Sequence, residues 1–134
     1  MKNLLVITIF FFSLSVIAEE DYRCKIYESC MDAKCWNDDL EGYDYISLRV
    51  DEGWFSKSFF VNGISRTGEK PFQRWVAKFE ETRITSKEEW LTGKGYEEYD
   101  FDKVSKTLTH NHVVTQPGLG PQRIVYKYLC ERTN

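Results

Sequence analysis

Residues 95–115 carry the clearest pattern in the chain, with two alternating runs on either side of a short polar turn. Before the turn, Tyr99 and Phe101 alternate with acidic residues. After the turn at 102–105, Leu108, two histidines and Val114 recur at every second position. Alternation of period two around a turn predicts an antiparallel β-hairpin with one buried face.

Shorter runs of the same kind predict further strands between turn-forming residues. They cover 22–27, 43–50, 54–61, 72–79, 82–85 and 123–130. Asn62-Gly63 is typical of a two-residue turn, and we expect an exposed loop after it. The segments 28–42 and 116–121 are also expected to be loops. Seven or eight short strands without a long crossover helix predict an all-β domain.

We expect this domain to be a small antiparallel β-barrel or closed β-meander, because closure removes exposed strand edges. One short helical turn is predicted near 87–91, since Ser86 and Glu89 have the spacing of a capping box. The residues expected to form the core are those on the inward positions of the predicted strands: Ile46, Leu48, Trp75, Phe79, Tyr99, Phe101, Leu108 and Tyr126.

The first 18 residues have the composition of a secretory signal peptide. Lys2 precedes an apolar run from Leu4 to Ala18, and small residues near its end favour cleavage after Ala18. A transmembrane anchor is the alternative, but the run is shorter than the roughly 20 residues that span a bilayer. We therefore expect 1–18 to be removed and 19–134 to form a single β-domain, periplasmic or secreted, with no stable membrane anchor.

The charge of the mature chain narrows the classes of partner. Cleavage removes Lys2 but no acidic residue, which moves the net charge from −3 to −4 with neutral histidines. No basic stripe is present, so nucleic acid and anionic membranes are not expected partners. An acidic domain of this kind favours a basic protein as partner, mainly through electrostatic steering.

The four cysteines all lie in the mature chain, and an even number in an oxidising compartment predicts two disulfides. Three pairings are possible. We favour Cys24–Cys130, which ties the first strand to the last, together with the local bridge Cys30–Cys35. A bridge that closes a loop of about a hundred residues stabilises the folded state by on the order of 4–5 kcal/mol in the chain-entropy model. The spacing fits neither a redox CxxC motif nor a paired-cysteine zinc site.

His110 and His112 are weak candidates for a metal site. Residues i and i+2 of a strand point to the same face, so the two imidazoles can approach one ion. A working site needs a third ligand, and Glu97, Glu98 or Asp100 on the neighbouring strand could supply it. Ordinary hydrogen bonding of both histidines is the alternative, and we predict no metal and no cofactor.

We expect no catalytic residues, and we predict that the protein is not an enzyme. The chain contains none of the nucleophile-elbow, zinc-protease or phosphate-loop motifs. Three glutamate doublets, at 80–81, 88–89 and 97–98, could suggest paired carboxylates. Adjacent residues of a strand face opposite ways, so no doublet forms a catalytic pair by itself.

The exposed loop expected at 63–72 is the candidate binding surface. It carries Arg66 and Phe72, and it is expected to lie near Trp54 and Phe55. Aromatic and arginine side chains supply most of the binding energy of protein interfaces, and loops on rigid scaffolds often carry function. Trp54, Phe55, Arg66 and Phe72 are therefore the predicted contact residues.

The ends of the mature chain resemble a known group of proteins. The chain resembles the periplasmic lysozyme inhibitors, which are small barrels closed by a disulfide. The resemblance lies in Tyr22-Arg23-Cys24 at the start and Tyr128-Leu129-Cys130 at the end. The internal motifs of those inhibitors are absent here, so no functional residue is carried over.

The sequence favours an exported protein-binding module, an inhibitor or immunity-type protein acting on a basic enzyme. A lipocalin-like carrier of a small ligand and a structural protein of the envelope are the alternatives.

Overall fold

The computed structural model describes residues 19–37, 45–53, 56–65, 68–69 and 73–134. The predicted signal peptide, 1–18, lies outside these residues. The described residues form no helix and eleven strands: β1 (Glu20–Met31), β2 (Lys34–Asn37), β3 (Tyr45–Glu52), β4 (Lys57–Ser65), β5 (Gly68–Glu69), β6 (Gln73–Trp75), β7 (Ala77–Phe79), β8 (Arg83–Glu89), β9 (Gly95–Asp102), β10 (Thr107–Gln116) and β11 (Gly120–Arg132).

The strands form one antiparallel sheet that curls into a nearly closed barrel. Nine of them follow the order β5-β4-β3-β1-β11-β10-β9-β8-β7, while β2 pairs with β1 and β6 pairs with β4. The first and last strands are neighbours, so the meander returns to its starting point. This confirms the predicted all-β, disulfide-linked barrel class, with slightly more strands than expected.

The remaining gap in the barrel is crossed by one short segment, 73–79. Its first half pairs with β4, where Trp75 lies opposite Phe59, and its second half pairs with β8. Val76, at the change of partner, is 92% exposed. The buried Ser86 hydroxyl donates a hydrogen bond of 2.8 Å to the Val76 carbonyl. The predicted continuous strand over 72–79 is therefore wrong, because the chain bends at Val76 to join two sheet edges.

Strand β1 also changes partner along its length. It pairs with β3 up to Lys25 and with β2 from Glu28 onward. A β-bulge between Ile26 and Glu28 interrupts its register with β11. Such a bulge leaves an extra residue and bends the strand. A notch therefore opens beside residues 26–27, between the start of β3 and the end of β2.

The core lies inside the barrel and contains most of the residues predicted for it. Ile46, Leu48, Trp75, Tyr99, Phe101 and Leu108 are buried, and Phe79 and Tyr126 pack against them half-buried. The largest fully buried side chains include Phe59, Phe101, Leu48, Ile84 and Leu108.

Two disulfides join the chain with the expected pairing, and no described cysteine is free. Cys24 of β1 faces Cys130 of β11 across the sheet, 106 residues apart in sequence, and both are buried. Cys30 of β1 faces Cys35 of β2, so this bridge staples a hairpin and not the expected irregular loop.

The predicted helical turn at 87–91 is wrong. Residues up to Glu89 belong to β8, where Glu88 lies opposite Glu97 of β9. Ser86 is inward and bonds to Val76, so its hydroxyl does not cap a helix. A single helical turn is unstable by itself, and pairing with a neighbouring strand supplies more hydrogen bonds.

Two turn predictions also need correction. Asn62-Gly63 does not form a two-residue turn, since both residues pair with β3 inside β4. The connection predicted at 116–121 shortens to the three residues 117–119, which join β10 to β11 in a tight hairpin. In both cases pairing with a long neighbouring strand outweighs the local turn propensity of Asn, Gly and Pro.

Candidate functional site

Two features of the described residues could carry function, and the first is a polar column inside the barrel. His110 and His112 of β10 point inward, as their spacing predicts. His110 lies opposite Tyr99 of β9, and His112 lies opposite Glu97. On the other side, β11 places Tyr126 beside His110. The column therefore brings two imidazoles, one carboxylate and two phenols onto one inner wall.

Aromatic rings hold the two imidazoles in place. The Tyr99 ring stacks on His110 with a centroid distance of 4.4 Å and an interplanar angle of 10°. The imidazoles of His110 and His112 are nearly parallel, 6.0 Å apart. The edge of Trp90 meets His112 at 5.1 Å. We call His110, His112 and Glu97, together with these flanking rings, the histidine column.

Gly95 allows Trp90 to reach this position. A Cβ atom at residue 95 would lie 3.0 Å from Cε3 of the Trp90 ring and would collide with the carbonyl oxygen of Val113. The Trp90 amide also donates a hydrogen bond of 2.9 Å to the Gly95 carbonyl. The turn between β8 and β9 therefore folds Trp90 over the backbone of Gly95 and against His112.

Burial shifts the pKa of two members of this column, His110 and Tyr99. Desolvation, together with the nearby His112, lowers the pKa of His110 from 6.5 to about 4. Burial and the Glu97 carboxylate raise the pKa of Tyr99 well above its usual value. At neutral pH His110 is therefore an uncharged imidazole, and Tyr99 is an uncharged phenol.

The polar atoms of the column make few bonds with one another. The Nε2 atoms of His110 and His112 are both buried and have no hydrogen-bond partner among the described residues. Glu97 Oε1 lies 3.9 Å from His112 Nε2, which is too long for a hydrogen bond. Buried polar atoms without partners are uncommon in folded proteins.

Only one of the three predicted third ligands lies in the column. Glu98 pairs across from Lys87 on the opposite face of the sheet. Asp100 lies on the same outer face and forms an ion pair with Arg83, with 3.3 Å between Oδ1 and Nε. Of these three, Glu97 alone shares the inner face with the histidines.

A second group of ligand-type atoms consists of Glu28, Cys30 and Cys35, whose ligand atoms lie within 4.8 Å of one another. Both cysteines are in a disulfide, so they offer no thiolate to an ion. Glu28 instead accepts a hydrogen bond of 2.6 Å from Lys127. This group is structural.

The other feature is a groove of about 630 Å³ on the outside of the barrel. It follows the notch where β1 leaves β3 for β2. Its lining includes residues of β1, β3 and β11: Arg23, Lys25, Tyr27, Tyr45, Leu129 and Glu131. We call this the outer groove.

The outer groove combines exposed apolar surface with an ordered cation. Tyr27 is 38% exposed and Leu129 is 53% exposed. The Arg23 guanidinium lies over the Tyr45 ring, 4.0 Å from its centroid. Cys24 and Cys130, on the same two strands, form their disulfide on the inner side of this wall.

The outer groove was not among the predicted sites, although the sequence contains one signal for it. Leu129 is a large apolar residue between the inward positions Tyr128 and Cys130, so strand alternation already places it outside. The notch itself depends on the bulge and the change of partner in β1, which have no local signal. The predicted contacts Trp54, Phe55, Arg66 and Phe72 all lie outside the described residues.

No protein-family model, no curated protein and no solved structure matches the chain. Its own residues therefore carry what can be inferred about its function. The two disulfides are consistent with an oxidising, exported location. Among the described residues, no helix has the length and apolar character needed to cross a membrane.

Proposed function

We propose that the mature protein is an exported protein-binding module that receives its partner at the outer groove. The observation that supports this most is the exposure of Tyr27 and Leu129 in a concave surface on the disulfide-linked strands β1 and β11. An inhibitor or immunity-type role in the periplasm or outside the cell fits such a module.

The groove has the composition of an interface centre. Tyrosine and arginine are enriched among the residues that dominate binding energy, particularly when they surround a pocket that excludes water. Here Tyr27 and Leu129 offer apolar contact, and Arg23 is ordered on Tyr45 before any partner arrives. Ordering side chains in advance lowers the entropy lost on association.

The position of the groove also supports surface binding over the carrier alternative. A carrier holds its ligand inside the barrel, whereas this concave surface lies outside it. The interior at the level of Phe101, Leu108 and Leu48 is occupied by fully buried side chains. Apolar surface on the outside of a small acidic domain is more useful for contact with another protein.

Two charge effects act on the partner at different distances. The mature net charge of −4 favours a basic partner during approach, as expected from the sequence. At the contact itself, Arg23 and Lys25 outnumber Glu131, so an acidic group is favoured beside the groove. A basic protein that presents an apolar anchor next to an acidic residue would satisfy both effects.

The test is partner capture on immobilised mature protein from periplasmic and competitor extracts, followed by affinity measurement with the purified partner. Leu129→Ala and Tyr27→Ala should each weaken binding about tenfold, as loss of a hot-spot contact does. Leu91→Ala is the matched control, because Leu91 is fully exposed in the turn between β8 and β9. Its affinity should equal that of the wild type.

Equal affinity of Leu129→Ala, Tyr27→Ala and the wild type would exclude the outer groove as the binding surface. If a lipid extract binds saturably and no protein binds at low or high salt, the protein-binding proposal is wrong and the carrier alternative takes its place. Lys25→Glu reports the charge at the contact: weaker binding indicates an acidic group beside the groove, and stronger binding contradicts that assignment.

A further inference from the structure

The histidine column lies inside the barrel, whereas the outer groove lies on its outer face, and the proposed function does not use the column. We propose that His110, His112 and Glu97 form a binding site for a divalent transition-metal ion of the Zn²⁺ class. This site would be separate from the outer groove, and no catalytic step is proposed for it.

The backbone register supplies the first argument. His110 and His112 are two residues apart on β10, and Glu97 is directly opposite His112 on β9. Directly opposed residues of antiparallel strands have Cβ atoms about 5 Å apart, and residues i and i+2 share a face. Three side chains of ligand type therefore project from neighbouring points of one rigid wall.

The chemistry of the donor atoms supplies the second argument. Zn²⁺ and related ions take imidazole nitrogen and carboxylate oxygen at about 2.0–2.2 Å, and catalytic and structural sites alike require neutral imidazoles. Both Nε2 atoms are buried and lack a hydrogen-bond partner among the described residues, so neither is committed to another group. One carboxylate beside two imidazoles would leave a divalent ion partly neutralised and bound through well-matched ligands.

The surroundings supply the third argument. Tyr99 stacks on His110, and Trp90 contacts His112, so each imidazole has an aromatic support. The side chains of His112 and Glu97 retain 26% and 28% exposure, but His112 Nε2 itself is buried, so an ion reaches this nitrogen when the side chains move. These aromatic contacts fix the ring orientation of both imidazoles in the protein without an ion, and an apolar shell of this kind controls solvent access to a metal site.

The three donor atoms do not all lie within 4.8 Å of one another in the metal-free protein. The parallel imidazoles, 6.0 Å apart, therefore have to turn toward Glu97 for one ion to contact all three. The backbone already places the three residues on one face, so the movement that the proposal requires is rotation about side-chain torsions. Metal binding should consequently change the stacking of Tyr99 on His110.

The test uses the oxidised mature protein, stripped with a chelator and titrated with Zn²⁺ by calorimetry. We expect one Zn²⁺ ion per chain. His110→Gln, His112→Gln and Glu97→Gln should each weaken affinity by at least about tenfold, since the loss of a residue that only supports a ligand already costs about that much. Glu98→Gln is the matched control, since residue 98 is adjacent in sequence but faces outward across from Lys87. Its affinity should match the wild type.

Co²⁺ provides a readout that does not depend on affinity. Bound to the column, it should show visible absorption bands that disappear in His112→Gln and persist in Glu98→Gln. Urea unfolding of each stripped variant identifies those that fold. Should His110→Gln fail to fold, His112→Gln and Glu97→Gln carry the test.

Two results would overturn the site. One is the lack of saturable Zn²⁺ uptake by the folded wild type. The other is equal Zn²⁺ affinity in Glu97→Gln and Glu98→Gln, which would place the ion on the acidic surface. Leu129→Ala should leave Zn²⁺ affinity unchanged, so failure of the outer groove and failure of this site are distinguished.

Discussion

The inner faces of β9, β10 and β11 carry apolar side chains at one end of the barrel and polar side chains at the other. At one end, Phe101 and Leu108 are fully buried next to the Cys24–Cys130 disulfide. Two to four residues along the same strands, the inward positions hold Glu97, His110 and His112. The same strands therefore build an apolar core at one end and the histidine column at the other.

This difference indicates where stability and function are separated in the molecule. Burying apolar side chains stabilises a domain by about 25 cal/mol per Å² of surface removed from water. Burying imidazole nitrogens that have no hydrogen-bond partner destabilises the domain instead. A sequence that places polar groups at inward positions forgoes stability there, which is common at binding sites. The apolar end compensates for that loss.

The largest effect on stability is expected from removing the disulfide at the apolar end. Removing Cys24–Cys130 by a double change to Ser should cost about 5 kcal/mol in the chain-entropy model, because it opens a loop with a sequence separation of 106. The matched control removes Cys30–Cys35, with a separation of 5, and should cost about 2 kcal/mol. Urea unfolding measures both. Equal losses would show that the link does not act mainly through loop closure.

Much of the fold follows from local alternation. Strand period two placed Leu108, His110 and His112 on one face, and the turn after Phe101 was expected where β9 ends. The Asp102 side chain accepts hydrogen bonds from the amides of Val104 and Ser105 there. Such features depend on a few consecutive residues, so one sequence is sufficient to predict them.

Features that depend on distant partners could not be predicted in the same way. The bend at Val76 exists because the segment 73–79 joins two sheet edges, and the notch at residues 26–27 exists because β1 exchanges β3 for β2. The sequence also proposed three acidic ligands for the histidines. Choosing Glu97 required the register between β9 and β10, which is a tertiary property.

The second prediction compares equivalent positions of β10 at the two ends. Leu108→Ala should cost about 2–5 kcal/mol, since it leaves a cavity in a fully buried site. His112→Leu should change stability by less than about 1 kcal/mol, or increase it, because an apolar side chain replaces a buried nitrogen without a partner. Urea midpoints of stripped protein measure both. A loss for His112→Leu as large as for Leu108→Ala would show that the column contributes to stability.

The smallest effect is expected from pH, in chelator-treated protein. The pKa of His110 is lowered from 6.5 to about 4 by burial first and by His112 second. The titratable groups that face it are Tyr99 from β9 and Tyr126 from β11, with Glu97 one pair further along. Between these two pKa values the unfolded chain binds a proton at this histidine and the folded chain does not.

Stability from this group is therefore complete above pH 6.5, falls as pH decreases toward 4, and changes no further below that value. The loss is at most about 3 kcal/mol, at 1.36 kcal/mol per pKa unit. His110→Gln lacks the titrating ring, so its unfolding free energy should fall less between pH 7 and pH 4 than that of the wild type. Parallel pH profiles for the two proteins would show that His110 is not desolvated, and the contrast between the two ends of the barrel would then rest on packing alone.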